Sequence, residues 1–324
     1  MLKRDPNDAV TLAPKRAVVT GAAGFIGRHI TQHLARQGCH VSGIGHSEMS
    51  DEDRKILSLE KWYPGGISAS SLAAASDGAD VIFHCAGSGS VPLSLQRPMV
   101  DFNRNVVSTA EVLNFSRENG KIPVVFLSSA GIYGRTHDMP IQVTTASNPI
   151  SPYGINKRMG ETLVQQYATY FDVPCVIVRL FSVYGNGLRK QLLWDASHKL
   201  NRGELSFFGT GEETRDWIHV EDAAELIVQL WSGASTEVPI LNGATGEKVA
   251  IRRIIQRLAS CYGVTDPISF NGEVRPGDPR DYVADVTASL ATGWTPRVSL
   301  EDGLARYATW FQTNVLPQLQ QDQS

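Results

Sequence analysis

Residues 16–27 read Arg-Ala-Val-Val-Thr-Gly-Ala-Ala-Gly-Phe-Ile-Gly. They predict a strand, a tight turn and a helix in direct succession. Ala17–Thr20 has the apolar, β-branched character of a strand buried on both faces. Gly21, Gly24 and Gly27 follow at G-x-x-G-x-x-G spacing, and Ile26–Gln37 reads as a helix that stops at Gly38. Glycines at this junction permit a tight turn and let backbone N–H groups approach a pyrophosphate at the helix N-terminus. The stretch therefore predicts a dinucleotide site built from Gly21, Gly24, Phe25, Ile26 and Gly27.

Outward from it, strand-length apolar runs recur at Val41–Ile44, Val81–Cys85, Val124–Ser128 and Val176–Leu180. Helix-like stretches, Pro98–Asn119 and Tyr153–Tyr170 among them, separate them. Strand and helix in alternation predict an α/β fold with a Rossmann-type, doubly wound parallel sheet. After residue 180 Gly, Asn, Trp and charged residues dominate, which predicts a smaller C-terminal substrate-binding lobe. Helices are expected near 221–231 and 300–312, a loop at 271–280, and a polar, frayed tail from Gln318.

Composition narrows the function. The chain has 324 residues, 42% hydrophobic and 19% charged, with a net charge of -3. That is a globular balance, with no positive field to attract nucleic acid or an anionic membrane. No apolar run reaches the length of a spanning helix. Met1–Lys15 lacks the apolar core of a secretory signal, so a cytoplasmic protein is expected. Cys39, Cys85, Cys175 and Cys261 are scattered, without C-x-x-C spacing, so no metal is expected.

Two further patterns carry chemistry. An acidic residue is expected about 20 residues beyond the glycine loop, on the adenosine ribose. Gly45 stands there instead, followed by His46 and Ser47. A missing carboxylate removes repulsion of a 2′-phosphate, and His46 and Ser47 could hydrogen-bond one, so the reading is NAD(P) with a lean to NADP. The alternative is that Gly45 only turns the chain and His46 is solvated. Second, Tyr153 and Lys157 form Tyr-x-x-x-Lys at a helix start, four residues apart on one face. A tyrosine of pKa about 10 becomes a base near neutrality only if cations favour its phenolate, and about two units of lowering requires roughly 2.7 kcal/mol. Ser129, at the carboxyl end of a predicted parallel strand, lies where such sheets bind ligands.

These motifs, with ADVIFHCAG (79–87), NVVST (105–109), LSSAGIYG (127–134), SPYGINK (151–157), VRLFSVYG (178–185), GTGEETRDWIHVEDAAE (209–225) and RPGDP (275–279), resemble the extended short-chain dehydrogenase/reductases. Within them the chain is similar to the NAD-dependent epimerase/dehydratase family acting on nucleotide sugars. The resemblance implies that Tyr153 is the acid/base at the sugar oxygen, that Lys157 binds the nicotinamide ribose, and that Ser129 hydrogen-bonds the same sugar oxygen. It places Asn105, Cys85, Ala86, Gly87 and Phe181 against the dinucleotide. It sets Arg215 and Arg275 on the substrate diphosphate and Asp278 on a ribose hydroxyl. Gly66 stands where many members carry an Asp on the adenine, which leaves backbone at Gly66 and Ile67. Ser182 replaces an asparagine at the substrate phosphate, and Asn186 replaces a common proline. Trp194 either stacks on the base or packs the lobe.

The resemblance also implies a layout. Residues 1–14 are a tail, 15–180 the dinucleotide domain with 217–245 returning to it, 181–216 and 246–316 the sugar lobe, and 317–324 a second tail. Ala130 and Gly131 stand where the dehydratases carry proton-transferring acids, which argues against dehydration and decarboxylation. The implied activity is 4-epimerisation of a UDP- or dTDP-linked hexose or 6-deoxyhexose through a transient 4-keto sugar, in polysaccharide biosynthesis. An NADPH-dependent 4-ketoreductase and a catalytically idle nucleotide sensor stand as alternatives. The implied partner is a second copy, joined through a four-helix bundle of 98–119 and 153–170; Leu113, Leu163 and Tyr167 fit its face, or else serve the core of the single chain.

Overall fold

The computed structural model of the chain describes residues 13–273 and 281–321. In order, β1 (Arg16–Thr20), α1 (Phe25–Arg36), β2 (His40–Gly45), α2 (Asp51–Ile56), β3 (Lys61–Pro64), α3 (Ala69–Ala75) and β4 (Val81–His84) come first. Next are α4 (Val91–Gln96), α5 (Pro98–Phe102), a π turn (Asn103–Val107), α6 (Ser108–Glu118), β5 (Val124–Ser129), α7 (Pro152–Phe171) and β6 (Cys175–Leu180). Then follow β7 (Ser182–Tyr184), α8 (Gln191–Asn201), β8 (Ser206–Phe207), β9 (Thr214–Arg215), β10 (Trp217–His219), α9 (Val220–Gln229) and β11 (Ile240–Gly243). The last are β12 (Val249–Ala250), α10 (Ile251–Cys261), β13 (Ser269–Phe270), α11 (Thr287–Leu290), α12 (Leu300–Asn314) and α13 (Leu316–Gln321). The helix α13 occupies part of the stretch expected to be a frayed tail.

The central sheet is parallel, has seven strands, and runs β11-β6-β5-β4-β1-β2-β3. β1 pairs with β2 on one side (Val18 opposite Ser42) and with β4 on the other (Val18 opposite Ile82). The strand order therefore reverses beside β1, and this reversal places a ligand crevice at the carboxyl ends of these strands. All residues of β4 and β6 are buried, as expected of strands covered on both faces. β3 escaped the sequence reading because Lys-Trp-Tyr-Pro has no apolar run; it is an edge strand, where Pro64 leaves no ladder donor missing.

Two compact units make up the chain: residues up to Ser128 with Ser151–Val178 and Ala224–Ile240, and Ser129–Ile150 with Arg179–Ala223 and Leu241 onward. The core of the first unit gathers Val18, Ile44, Ile82, Leu113, Phe126 and Ile177. Leu113, a candidate for an exposed face, is 0% exposed in this core, and Leu163 and Tyr167 pack against it. Val112 and Leu113 both turn inward on α6 and join the core with Val18, Ile82 and Phe126 of the sheet, so of the two places open to Leu113 the core is the one observed. The second unit has a cluster of Ala130, Ile132, Tyr133, Ile141 and Tyr282 with Phe181 against it. There the buried Asp216 carboxylate accepts from the Thr245, Gly246 and Ala284 amides, tying three segments together. The four cysteines are free thiols. Among the described residues no helix is long and apolar enough to cross a membrane, and no three His, Cys, Asp or Glu form a group that could hold a metal.

Candidate active site

The glycine loop has the shape its sequence demands. Gly21 has φ +67°, and a Cβ there would lie 2.9 Å from the Ala86 backbone. A Cβ on Gly27 would lie 2.2 Å from the Gly21 carbonyl oxygen, so helix and strand touch through bare backbone. Gly24 is the N-cap of α1 and has no side chain to satisfy the first N–H groups, with Phe25 and Ile26 next in the first turn. Those donors and the positive end of α1 face the loop. A turn with no room for a Cβ at Gly21 or Gly27, edged by helix N-terminal donors that no side chain caps, fits a dinucleotide pyrophosphate.

At the end of β2 the structure explains Gly45 differently from the sequence. A Cβ there would lie 2.4 Å from Cη2 of Trp62, whose ring crosses from β3 over Gly43 and Gly45. The indole Nε1–H donates to the Ser47 carbonyl at 3.0 Å. Gly45 is therefore glycine because an indole lies on it. His46 is an exposed side chain. Gly66 and Ile67 follow β3: the Gly66 carbonyl accepts from Ser71, and the Ile67 side chain packs towards the core.

Helix α7 carries the Tyr-x-x-x-Lys pair. Ser151 caps it by accepting from the Gly154 amide, and Pro152 stands at its first position, where a missing N–H costs nothing. Tyr153 is half-buried in the first turn. One turn on, Lys157 is 6% exposed; its Nζ donates to the Leu127 carbonyl at 2.9 Å and sits 5.2 Å over the Phe126 ring. Burial pushes this ammonium down to about 8, while Asp101, Cys85 and Glu161 pull it upward. Ser129 ends β5 two residues beyond Leu127. Its hydroxyl oxygen accepts from the Gly131 amide at 3.1 Å, so its own proton is directed elsewhere.

Asn105 lies on the π turn, an irregularity common at functional sites. A Cβ on Gly87 would come within 2.7 Å of Asn105 Oδ1 and 3.5 Å of Lys157 Nζ, which brings Gly87, Asn105 and Lys157 together. Sequence reasoning missed what holds them. His84, at the end of β4, is fully buried between Thr20 Oγ1 (2.8 Å) and Thr109 Oγ1 (3.1 Å). Thr20 Oγ1 accepts from the Ala86 amide, and Thr109 Oγ1 donates to the Asn105 carbonyl. The chain of bonds requires a neutral imidazole protonated on Nε2, and burial lowers the His84 pKa to about 3. It fixes the Cys85–Gly87 backbone and the π turn at once. Burial likewise pushes the Cys85 thiol up to about 12, which keeps it neutral.

The remaining candidates lie in the second unit or outside the described residues. The Phe181 amide donates to the Gly243 carbonyl, and its ring meets Tyr133 and Tyr282. Ser182 starts β7 and pairs with Trp217 of β10. Arg215 is half-buried on β9, donating to the Thr214 carbonyl at 2.7 Å. Trp194, half-buried, packs edge-on against His198 (4.5 Å) and Phe311 (5.5 Å). Arg275 and Asp278 lie outside the described residues. A cavity of about 470 Å³, lined by Lys199, Phe207, Phe208 and Asn271 among others, was not signalled by any motif.

Comparison with known proteins agrees with this geometry. The chain is 30% identical over 311 residues to a UDP-glucose 4-epimerase of Mycolicibacterium smegmatis, covering 92% of this chain and 98% of that one. A UDP-glucose 4-epimerase of Thermotoga maritima, solved with UDP-glucose, superposes with a TM-score of 0.83 at 26% identity, over 93% of this chain and 99% of the other. A Bacillus cereus UDP-glucuronic acid 4-epimerase mutant, solved with a 4-deoxy-4-fluoro substrate analogue and NAD, gives 0.81 at 27% identity, over 92% and 99%. The sequence model of one family matches residues 17–239, the glycine loop and the Tyr-x-x-x-Lys helix included. The chain belongs to that family, the NAD dependent epimerase/dehydratases of the extended short-chain dehydrogenase/reductase type.

Proposed function

We propose that the protein is an NAD-dependent UDP-sugar 4-epimerase. The observation that carries this reading is a buried lysine one helical turn from Tyr153, beside a glycine cradle shaped for a dinucleotide, with no acid at 130 or 131. Relatives on both comparisons act on or bind UDP-sugars, which favours uridine over thymidine.

When bound, NAD supplies reversible hydride acceptance at C4 of the sugar. Tyr153, as phenolate, takes the proton of the 4-hydroxyl and returns it to the 4-keto oxygen, so no oxidant is consumed. The Lys157 ammonium favours that phenolate and holds the nicotinamide ribose. The Ser129 hydroxyl donates to the same sugar oxygen. Arg215 takes the diphosphate, where a guanidinium fits, and Arg275, Asp278 and Ser182 keep their expected roles on the substrate. The cavity at Phe207 and Phe208 offers an aromatic face and polar groups to the base. The ketoreductase alternative leaned on an NADP site, whereas similar structures are solved with NAD. The partner is a second copy: Met99, Val107, Ile155 and Met159 are exposed apolar side chains on α5, the π turn and α7.

The test is a proton NMR time course with UDP-glucose, UDP-N-acetylglucosamine, UDP-glucuronate and a dTDP-hexose, each with protein shown to hold NAD. A C4-inverted sugar growing to an equilibrium mixture is expected with a UDP-sugar. No inversion of any of them sinks the epimerase reading.

A further inference from the structure

Asp101, on α5, is fully buried, yet among the described residues its carboxylate accepts only from neutral donors. These are the Ser88 hydroxyl, the Asn105 amide nitrogen at 3.1 Å and the Asn156 amide nitrogen at 2.7 Å. A buried carboxylate without a counter-charge is costly. The cation that shares its surroundings is Lys157, the residue after Asn156 on α7 and itself buried. Of the carboxylates that hold the proton on Lys157, Asp101 is foremost, ahead of Glu161.

Asp101 also decides how Asn105 points. Asp101 offers Asn105 two acceptors, its carboxylate and its main-chain carbonyl, and the Asn105 nitrogen faces both. That nitrogen donates to Asp101 Oδ1, to the Asp101 carbonyl at 3.2 Å and to Ser88 Oγ at 3.1 Å. Asn105 Oδ1 is therefore turned the other way. It is buried, has no hydrogen-bond partner among the described residues, and shares with Lys157 Nζ the space over Gly87.

We propose that Asp101 is a positioning residue for the Tyr153–Lys157 pair: its carboxylate is the buried counter-charge that keeps Lys157 an ammonium, and it turns Asn105 Oδ1 to the Lys157 side of Gly87. The inference rests on the proposed role of Lys157 and adds the residue that sustains it. Other charged groups around Lys157 are accounted for. His84 and Cys85 at β4 are neutral. β5 and α4 carry no ionisable side chain. Arg104 on the π turn and Arg117 and Glu118 on α6 are exposed, and Glu111 is half-buried on α6. On α7 itself Tyr153 precedes Lys157 by one turn, Glu161 follows it by one, and Arg158, next in sequence, is exposed.

The test titrates Lys157 directly, by carbon-13 NMR of lysine Cε in the full-length protein as purified, with the resonance assigned by its loss in Lys157→Met. Wild type is expected to titrate near pH 8. Asp101→Asn is expected to lower the midpoint by about one pH unit, and Glu161→Gln by less. Coincident midpoints for wild type and Asp101→Asn overturn the proposal, as does a larger shift in Glu161→Gln. If Asp101→Asn does not fold, Asp101→Ser is titrated in its place; if neither folds, Asp101 is a structural residue and the proposal fails. The readout needs no substrate, so it stands even if the chain epimerises none of the sugars offered. Where turnover is measurable, the alkaline limb of the kcat profile should move down with the NMR midpoint.

Discussion

Lys157 is an ammonium held where an ammonium is expensive. Its folded pKa near 8, against the ordinary 10.5, means the unfolded chain binds more protons between those values. Stability should therefore rise with pH from about 8 to about 10.5, by about 3 kcal/mol at most, and the cost is fully present below 8. The difference in urea unfolding free energy between wild type and Lys157→Met isolates this group, because other titrations cancel. That difference should grow in favour of wild type across the window, and a flat difference would show that Lys157 is not strained. Tyr153→Phe should retain NAD and fold normally while turnover falls about 10²–10⁴-fold, the usual worth of a positioned acid/base. Equilibrium dialysis beside the NMR assay separates the two effects. A variant that lost NAD as well would show that the phenol serves binding first.

At the scale of elements, contact distances rank the glycines of the loop. Gly24 would bring a Cβ to 3.0 Å of one carbonyl oxygen, whereas Gly27 would bring one to 2.2 Å of the Gly21 carbonyl. Gly24→Ala should lower the melting temperature slightly and keep NAD, since its φ of -71° suits any residue. Gly27→Ala must push α1 off β1 and should cost about 1–3 kcal/mol with loss of NAD retention. Melting curves and cofactor content after gel filtration report both, and equal behaviour of the two variants would contradict the packing described. Elements also show why parts of the site were hidden. β1, the turn and α1 are contiguous, so their pattern was legible in twelve residues. The His84 relay joins Thr20, His84 and Thr109, 64 and 25 residues apart. No local pattern announces such bonds, because each partner reads alone as an ordinary polar residue.

For the whole molecule, the exposed apolar side chains of α5 and α7 are where a second copy would dock. Met99 is 65% exposed, Met159 43% and Ile155 36%, while Leu113, one candidate for that face, is in the core. Ile155→Asp should yield a monomer by analytical ultracentrifugation without unfolding the chain, whereas Leu113→Asp should unfold it. A dimer that survived Ile155→Asp would place the interface elsewhere. The contrast belongs to this scale because helix phase alone assigns both residues to apolar faces, and only the sheet beneath α6 decides which face is inside.

The sequence by itself determined the α/β fold, the glycine cradle and the Tyr-x-x-x-Lys helix. Each is encoded within one strand–turn–helix unit, where spacing and backbone sterics act over a few residues. Tertiary structure alone decided that Gly45 carries an indole, that His84 is neutral, and that Asp101 stands with Lys157. Those outcomes turn on which side chains share a desolvated space. Burial raises the cost of an unpartnered charge or donor, and partners far apart in the chain are chosen by folding.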